Sequence, residues 1–494
     1  MEHKARKINI YEEANHCLMC LDAPCSKACK TGDPARAIRA IRFGNPESAL
    51  QWVKDCSNED LERAEQACIH YDRPIRIQSL ISNLPEDDVD NSKYPDLGIT
   101  FCGIKCENPF FLASSAVCTN YEMVAHAFDL GWGGVFYKTI CMQDIHEVSP
   151  RFDAVYNTAE KGVFYGFRNM EQLSENPVDV DFDILRRLKT NYPTKIVVAS
   201  IMGKTEDEWV ILAKKAQEAG CDAVELNFSC PQMKTKGMGS DVGQIPELVK
   251  NFTACVKQAV KIPVISKMTP NITHITEPAE ACLQAGANAL SAINTIKSVT
   301  MSPKAEVSGR RTISGYSGRA VRPIALRQVL EMAQMPQKPE LSGVGGIETW
   351  YDALEFIQLG CSNVQICTAV MQYGYRIIDD LTLGLQRYMT KCGVTNLQQL
   401  VGEQLPSFTP PSHLDRATMV YPKFNYDSCI GCGRCAISCS DGGHQAIVFN
   451  NETRRPRLVG TKCVGCHLCR LVCPTGSINL TKRIEKKLQN SSVT

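Results

Sequence analysis

A chain of 494 residues, 44 % of them hydrophobic and 22 % charged, with a formal net charge of +1, has room for about two to four globular domains. It has no surplus of basic charge to bring it to nucleic acid or to a membrane surface. The charged opening M-E-H-K-A-R-K is not a signal peptide, and no uninterrupted apolar run approaches the ~18 residues of a bilayer span, so a cytoplasmic protein is expected. Cysteine is the compositional outlier, with 25 residues. In a long chain without an export signal, clustered thiols point to metal binding more than to disulfides.

In chain order, residues 1–95 read as a helical, cysteine-bearing segment (A-I-R-A-I-R-F-G-N-P-E-S-A-L-Q-W) that ends in the acidic connector P-E-D-D-V-D-N-S-K-Y-P. Within it, H-C-L-M-C-L-D-A-P-C-S-K-A-C sets Cys17, Cys20, Cys25 and Cys29 at C-x2-C-x4-C-x3-C. Four such thiolates suit an iron–sulfur cluster, with a structural zinc as the alternative. Cys56 and Cys68 follow no defined ligand spacing and read as buried free thiols, completion of a further site being the alternative.

Residues 96–405 alternate short apolar runs with amphipathic, helix-length segments. Eight runs read as strands: N-P-F-F-L-A-S-S, G-G-V-F-Y-K-T, K-I-V-V-A-S-I, D-A-V-E-L-N-F, I-P-V-I-S-K-M, A-N-A-L-S-A-I-N, P-E-L-S-G-V-G-G and N-V-Q-I-C-T-A. Eight strand–helix units predict an α/β fold, a (β/α)8 TIM barrel whose reactive groups lie at the carboxyl ends of its strands. An open doubly wound sheet is the rival, but no glycine fingerprint follows the first run. Lys138 and Lys267 end the second and fifth strands, where a cation can stabilise negative charge on a reduced flavin, and Asn227, Asn294 and Thr295 hold similar positions. Gly345 and Gly346 after the seventh strand, with a short helix after the eighth, form either a plain turn or a phosphate cradle for a mononucleotide, FMN being the simplest choice. After the fourth strand, Cys230 opens a Gly-, Lys- and Met-rich stretch expected to move.

A connector over 406–425 leads to a compact module at 426–480 and a polar tail at 481–494. The module repeats C-x2-C-x2-C-x3-C, first as Cys429, Cys432, Cys435 and Cys439, then as Cys463, Cys466, Cys469 and Cys473, the latter followed by Pro474. In this two-cluster ferredoxin pattern the fourth cysteine of each run reaches across to the other cluster. One 4Fe–4S cluster then takes Cys429, Cys432, Cys435 and Cys473, and the second takes Cys463, Cys466, Cys469 and Cys439. Zinc knuckles and disulfides are the alternatives.

Across residues 96 to 480 the motifs N-P-F-F-L-A-S-S, Y-K-T, F-R-N-M-E-Q-L-S-E, E-L-N-F-S-C-P, K-M-T-P-N, I-N-T, V-R-P-I-A-L, G-V-G-G-I, Q-I-C-T-A and the two cysteine runs resemble the dihydropyrimidine dehydrogenases, and more distantly the class 1 dihydroorotate dehydrogenases. The first zone resembles the N-terminal iron–sulfur segment of the large single-chain members through C-L-M-C-L-D-A-P-C-S-K-A-C, and departs from it beyond Cys29. The resemblance implies FMN at Ala113, Ser114, Lys138, Thr139, Asn227, Lys267, Asn294, Gly318, Gly345, Gly346, Cys367 and Thr368. It implies a pyrimidine base at Asn169, Glu171, Asn227, Ser229, Asn294 and Thr295. It also makes Cys230 the general acid/base, giving a proton to one carbon of the 5,6 double bond while the hydride comes from reduced FMN. A thiol of unperturbed pKa about 8.5 is protonated at neutral pH and can serve so, and a moving loop would close it over the ring. Glu171 suits uracil or thymine, whose N–H groups it can accept, and repels orotate: like charges about 4 Å apart in a poorly solvated pocket cost several kcal/mol.

No G-x-G-x-x-G follows a strand, so the chain is expected to draw electrons from an NAD(P)H-oxidising, FAD-binding partner subunit, or from a ferredoxin, and to work as an oligomer. Two other functions stay open: dihydroorotate oxidation, and electron transfer by a subunit whose barrel is not catalytic.

Overall fold

The eight apolar runs of the middle zone are parallel strands that close into a ring: β1 (Phe110–Leu112), β2 (Gly134–Phe136), β3 (Ile196–Met202), β4 (Ala223–Asn227), β5 (Val264–Lys267), β6 (Ala289–Ala292), β7 (Glu340–Val344) and β8 (Cys361–Ile366). Closure is made by β8 pairing back on β1, with Val364 opposite Phe110. This is the (β/α)8 barrel; an open sheet would leave two edges. The computed structural model describes residues 9–87, 94–156, 164–231, 233, 238–301 and 309–486. It divides into two compact units, Met1–Pro406 and Ser407–Thr494.

The strands are mostly apolar because both faces are covered; all seven residues of β3 are buried. A helix follows each strand: α1 (Tyr121–Asp129), α2 (Val178–Asn191), α3 (Glu206–Glu218), α4 (Pro246–Ala259), α5 (Thr276–Gln284), α6 (Arg322–Ala333), α7 (Trp350–Gln358) and α8 (Ile378–Cys392). Local chemistry starts them. Asn120 caps α1, Thr205 caps α3, and Thr349 with Asp352 forms a capping box on α7. Trp209 of α3, almost fully buried, packs on Phe228 and Phe252 with ring centroids 5.2 and 5.7 Å away.

Two connections are long, β2 to α2 and β6 to α6, and each contributes strands to a second, antiparallel sheet ordered Ile296–Ser298, Ser314–Ser317, Phe164–Asn169, Phe152–Tyr156. The sequence reading did not find this sheet, whose strands are short and interrupt what reads as ordinary loop. Strand β2 also breaks its ladder at Lys138 and Thr139, then resumes at Ile140–Cys141 beside Ile201 and Met202. The break turns those two side chains inward.

The N-terminal helices (Ile10–Asn15, Pro24–Ala28, Pro34–Arg42, Asn58–Gln66, Ile77–Ile81) enclose their own core, which includes Ile38, Ile41, Leu61, Ile75 and Leu80. They dock on α7 and α8: Trp350 Nε1 donates to Gly44 O at 3.0 Å, Asn45 Nδ2 to Asp380 O at 2.9 Å, and Arg39 Nε lies 2.8 Å from Asp380 Oδ2. In the second unit, helices Arg434–Gly442 and Leu468–Leu471 each grow out of one cysteine run. The connector expected through 425 and the tail expected from 481 are partly strand: Pro422–Phe424 pairs with Ile478–Leu480 and Thr418–Met419 with Ile484–Glu485. Burial of Ile478 inside this closure draws the flanking segments into the module.

Gly384 of α8 tests the N-terminal docking. A Cβ there would lie 2.0 Å from Trp350 Cδ1 and 2.6 Å from Asn45 Oδ1. Gly384→Ala should therefore expel Trp350 and Asn45 from the seam, costing about 1–3 kcal/mol by overpacking. The expected result is a lower thermal midpoint and faster proteolytic release of the first ~90 residues, read by mass spectrometry of the digest.

Candidate active site and cysteine centres

At the carboxyl ends of the strands lies a cavity whose empty space, open solvent included, is about 1080 Å³. Its wall holds Lys138 and Thr139 from the end of β2, Asn227 from β4, Cys230 three residues on, Lys267 from β5 and Asn294 and Thr295 after β6. Ala113, Ser114, Asn169, Glu171, Gly318, Gly345, Gly346, Cys367 and Thr368 also line it. Of the residues expected at the flavin or the substrate, Ser229 alone is not on the wall; it is fully buried and holds the amides behind it. The stretch after Cys230 that was expected to move lies, at residues 232 and 234–237, outside the described residues.

The polar wall is one hydrogen-bonded network. Asn227 Oδ1 accepts from Ser229 N–H at 3.1 Å and Ser229 Oγ at 2.9 Å, and Asn227 Nδ2 donates to Thr139 Oγ1 at 2.9 Å. Asn294 Nδ2 donates to Ser229 Oγ at 2.9 Å, and Asn294 Oδ1 accepts from Thr295 N–H at 2.7 Å. Thr139 Oγ1 lies 3.0 Å from Ser114 Oγ and 2.9 Å from Ser200 Oγ, and Ser200 donates on to Glu225 at 3.0 Å. These bonds fix which face each amide presents, so little ordering is left for ligand binding to do.

Both lysines have carboxylate partners. Lys138 Nζ is bonded to Glu171 Oε1, and Lys267 Nζ stands 3.7 Å from Glu225, whose side chain is fully buried. Both lysines are almost fully buried, so they belong to the cavity and not to the surface. The antiparallel sheet brings Asn169 beside Gly315, and Gly315 is required: a Cβ would meet Thr295 Oγ1 at 2.5 Å.

The glycines meet at one corner. Gly346 (φ +77°) has no space for a Cβ, which would lie 2.9 Å from Gly318 O and from Arg322 N. Gly318 (φ +98°) lies against Thr368, the first residue of the short helix Thr368–Tyr373. Bare backbone from two loops thus converges at the start of two helices, an arrangement with which a phosphate cradle is compatible. Glu348, which sequence reasoning missed, lines the same corner, and burial pushes its carboxyl pKa up while Arg319, Arg42 and Arg322 oppose the shift.

Three smaller cavities are lined by cysteines. Cys429, Cys432, Cys435 and Cys473 surround one, and Cys439, Cys463, Cys466 and Cys469 another, the cross-over partition that the spacing implies. In the N-terminal segment Cys17, Cys20 and Cys25 line a third with Cys68. Cys29, expected as the fourth ligand, is turned away; its Sγ lies 3.2 Å from Cys56 Sγ. The reason is the helix Pro24–Ala28, which carries Cys29 to its far end, whereas Cys68 follows the helix Asn58–Gln66 back to the cavity. Burial pushes Cys17 up to about 11, so its thiol needs a metal to deprotonate. Among the described residues no three His, Cys, Asp or Glu side chains converge as a single metal ion requires. Cys221, Cys282 and Cys361 are buried thiols remote from these centres, with burial raising the pKa of each.

A family profile described as dihydroorotate dehydrogenase matches residues 96–389, and one described as a 4Fe-4S dicluster domain matches 423–480. The chain belongs to the dihydroorotate dehydrogenase family. It is similar to NAD-dependent dihydropyrimidine dehydrogenase subunit PreA of Escherichia coli (strain K12), 50 % identical over 393 residues that cover 78 % of this chain and 95 % of that one. It is 38 % identical to the chloroplastic dihydropyrimidine dehydrogenase (NADP(+)) of Arabidopsis thaliana over 360 residues (69 % and 83 %). It is 37 % identical to the catalytic subunit of dihydroorotate dehydrogenase B (NAD(+)) of Pyrococcus abyssi (strain GE5 / Orsay) over 311 residues (62 % and 98 %). A solved structure of the dihydroorotate dehydrogenase of Eimeria tenella with ferulenol superposes with a TM-score of 0.54 at 19 % identity, over 65 % of this chain and 91 % of that one, which shows the fold. Family membership makes the chain an oxidoreductase with FMN in the barrel and two 4Fe–4S clusters in the C-terminal unit. Among the described residues no helix is long and apolar enough to cross a membrane.

Replacing Gly346 by Ala puts a methyl group in the cradle and strains a left-handed backbone, costing about 1–3 kcal/mol. Gly346→Ala should lower FMN affinity about 10- to 100-fold with iron content unchanged, measured by flavin fluorescence on titration of the apoprotein.

Proposed function

We propose that this chain interconverts uracil or thymine with their 5,6-dihydro forms. The observation that carries the reading is a charged Glu171 in the same cavity as Cys230 and the Asn227–Ser229–Asn294 network. A uracil ring offers N–H donors and carbonyl acceptors on one edge. Glu171 accepts from an N–H, while Asn169, Asn227, Asn294 and Thr295 supply donors and acceptors for the rest. An orotate carboxylate at the same edge would face Glu171 at a cost of about 4 kcal/mol at an effective dielectric constant near 20. The name borne by the Escherichia coli and Arabidopsis relatives agrees with this choice, and the Pyrococcus relative keeps dihydroorotate as the competing substrate.

When bound, FMN supplies the hydride donor and acceptor, one electron pair per turnover. In the reductive direction the Cys230 thiol gives its proton to the ring carbon that does not receive hydride, and its thiolate regains a proton from solvent. In the oxidative direction the same sulfur takes that proton. The buried amides orient the ring for this proton transfer. Lys138 and Lys267 compensate the negative charge that accompanies reduction in the cavity.

The N-terminal cavity is proposed to hold a further 4Fe–4S cluster on Cys17, Cys20, Cys25 and Cys68, with Cys29 and Cys56 as a thiol pair outside it. Electrons are proposed to enter from an NAD(P)H-oxidising partner subunit in the cytoplasm; the Escherichia coli relative is itself named as a subunit.

Steady-state assays with uracil, thymine and orotate test the substrate: kcat/KM for uracil or thymine should exceed that for orotate by about 10³-fold, and turnover of orotate alone would refute the reading. Iron analysis tests the N-terminal site. Cys68→Ala should lose about four irons per chain and Cys29→Ala should lose none; the reverse pattern would restore Cys29 as the ligand.

A further inference from the structure

Glu171 is held by more than Lys138. Arg151, just before the outer strand of the antiparallel sheet, lies with Nε 3.1 Å from Glu171 Oε2, while Lys138 occupies Oε1. Each oxygen of the carboxylate has its own cation, so the plane of the group is fixed. The backbone makes the same attachment, since Arg151 O accepts the Met170 N–H at 2.9 Å and Phe152 pairs with Asn169 across the sheet.

A second carboxylate completes the arrangement. Glu147 Oε1 accepts the Gln172 N–H at 2.6 Å and lies 4.0 Å from both Lys138 Nζ and Arg151 Nη1. The side chains of Glu147 and Lys138 are 4 % exposed and that of Glu171 is 10 % exposed, whereas Arg151 is 35 % exposed and also reaches the half-exposed Glu175 at 3.5 Å. Two cations therefore balance two buried carboxylates. Burial and then the charge of Glu171 push the Glu147 carboxyl pKa up, with the Gln172 N–H, Lys138 and Arg151 opposing them. The balance is thus close.

We propose that Arg151, seated by Glu147, is a positioning residue for the substrate-binding carboxylate, holding Glu171 correctly oriented toward the pyrimidine N–H. The inference rests on Glu171 being the group that meets the ring. Without Arg151, Lys138 faces two buried carboxylates alone and is shared between Glu171 and Glu147. A Glu171 that rotates away no longer presents its acceptor to the N–H and releases the substrate edge.

The test uses the full chain with flavin and clusters bound, and reads KM, kcat and the uracil dissociation constant from perturbation of the flavin spectrum. Arg151→Gln should raise the uracil dissociation constant and KM about 10- to 100-fold, the loss of one charge-assisted bond, with a smaller change in kcat and no loss of flavin. The double variant Glu147→Gln/Arg151→Gln restores one cation to one carboxylate and should recover at least half of that loss on a logarithmic scale. If Arg151→Gln sheds its flavin, Arg151→Lys keeps the charge but not the planar contact and should show an intermediate rise. Wild-type affinity in the Arg151 variants, or no recovery in the double variant, overturns the proposal, provided Glu171→Gln raises the dissociation constant. If Glu171→Gln leaves it unchanged, the reading of Glu171 as the substrate carboxylate falls instead.

Discussion

Charge that is buried must be paired, and at the mouth of this barrel the pairing determines the layout. Lys138 lies two residues beyond β2 and Lys267 ends β5, both in a cavity where an unpaired charge is costly. Each meets a carboxylate from a different element: Glu171 from the connection after β2, and Glu225 from inside β4. The closed ladder of eight strands makes the pairing possible by delivering strand ends to one face. The break in β2 at Lys138 and Thr139, and the antiparallel sheet that carries Asn169 toward Thr295, are departures from regular barrel geometry that serve the same face.

The barrel was legible because its strands are apolar on both faces and its helices are amphipathic, so periodicity alone separated the eight units. The strand-end residues were legible for the same reason: once a strand is placed, its last residue is placed. The antiparallel sheet was not, because F-D-A-V-Y and S-G-Y-S are short, and the pairing that joins the two connections sets Gly315 against Asn169, far away in sequence. The network of Glu147 and Arg151 escaped with it. Nothing in H-E-V-S-P-R-F distinguishes a buried carboxylate from a surface one until the sheet folds over it. The regular spacing in the C-terminal unit gave the cysteine partition directly, since two identical runs admit the cross-over arrangement. At the N-terminus the contiguous run points to Cys29, whereas the fold sets Cys68 beside Cys17, Cys20 and Cys25, because a return from a later helix leaves no regular spacing in the sequence.

Hydride chemistry moves electrons in pairs and iron–sulfur clusters move them singly, so a chain holding both needs a flavin between them. The barrel provides for this with bare glycine backbone at Gly318 and Gly346 on one side of the cavity and with buried amides and Cys230 on the other. Among the barrel's cysteines, Cys221, Cys282 and Cys361 are buried away from that cavity wall, whereas Cys367 shares it with Cys230. What sets Cys230 apart is its position beyond the end of β4, where the chain leaves the ladder.

The central claim is that the Cys230 sulfur carries the ring proton. Anaerobic stopped-flow mixing of dihydrouracil with the flavin-loaded full chain measures this directly. Bleaching of the flavin is expected in the wild type. In Cys230→Ala it should slow by about 10²- to 10⁴-fold while the dihydrouracil dissociation constant changes little. Equal bleaching rates in the two proteins would contradict the account.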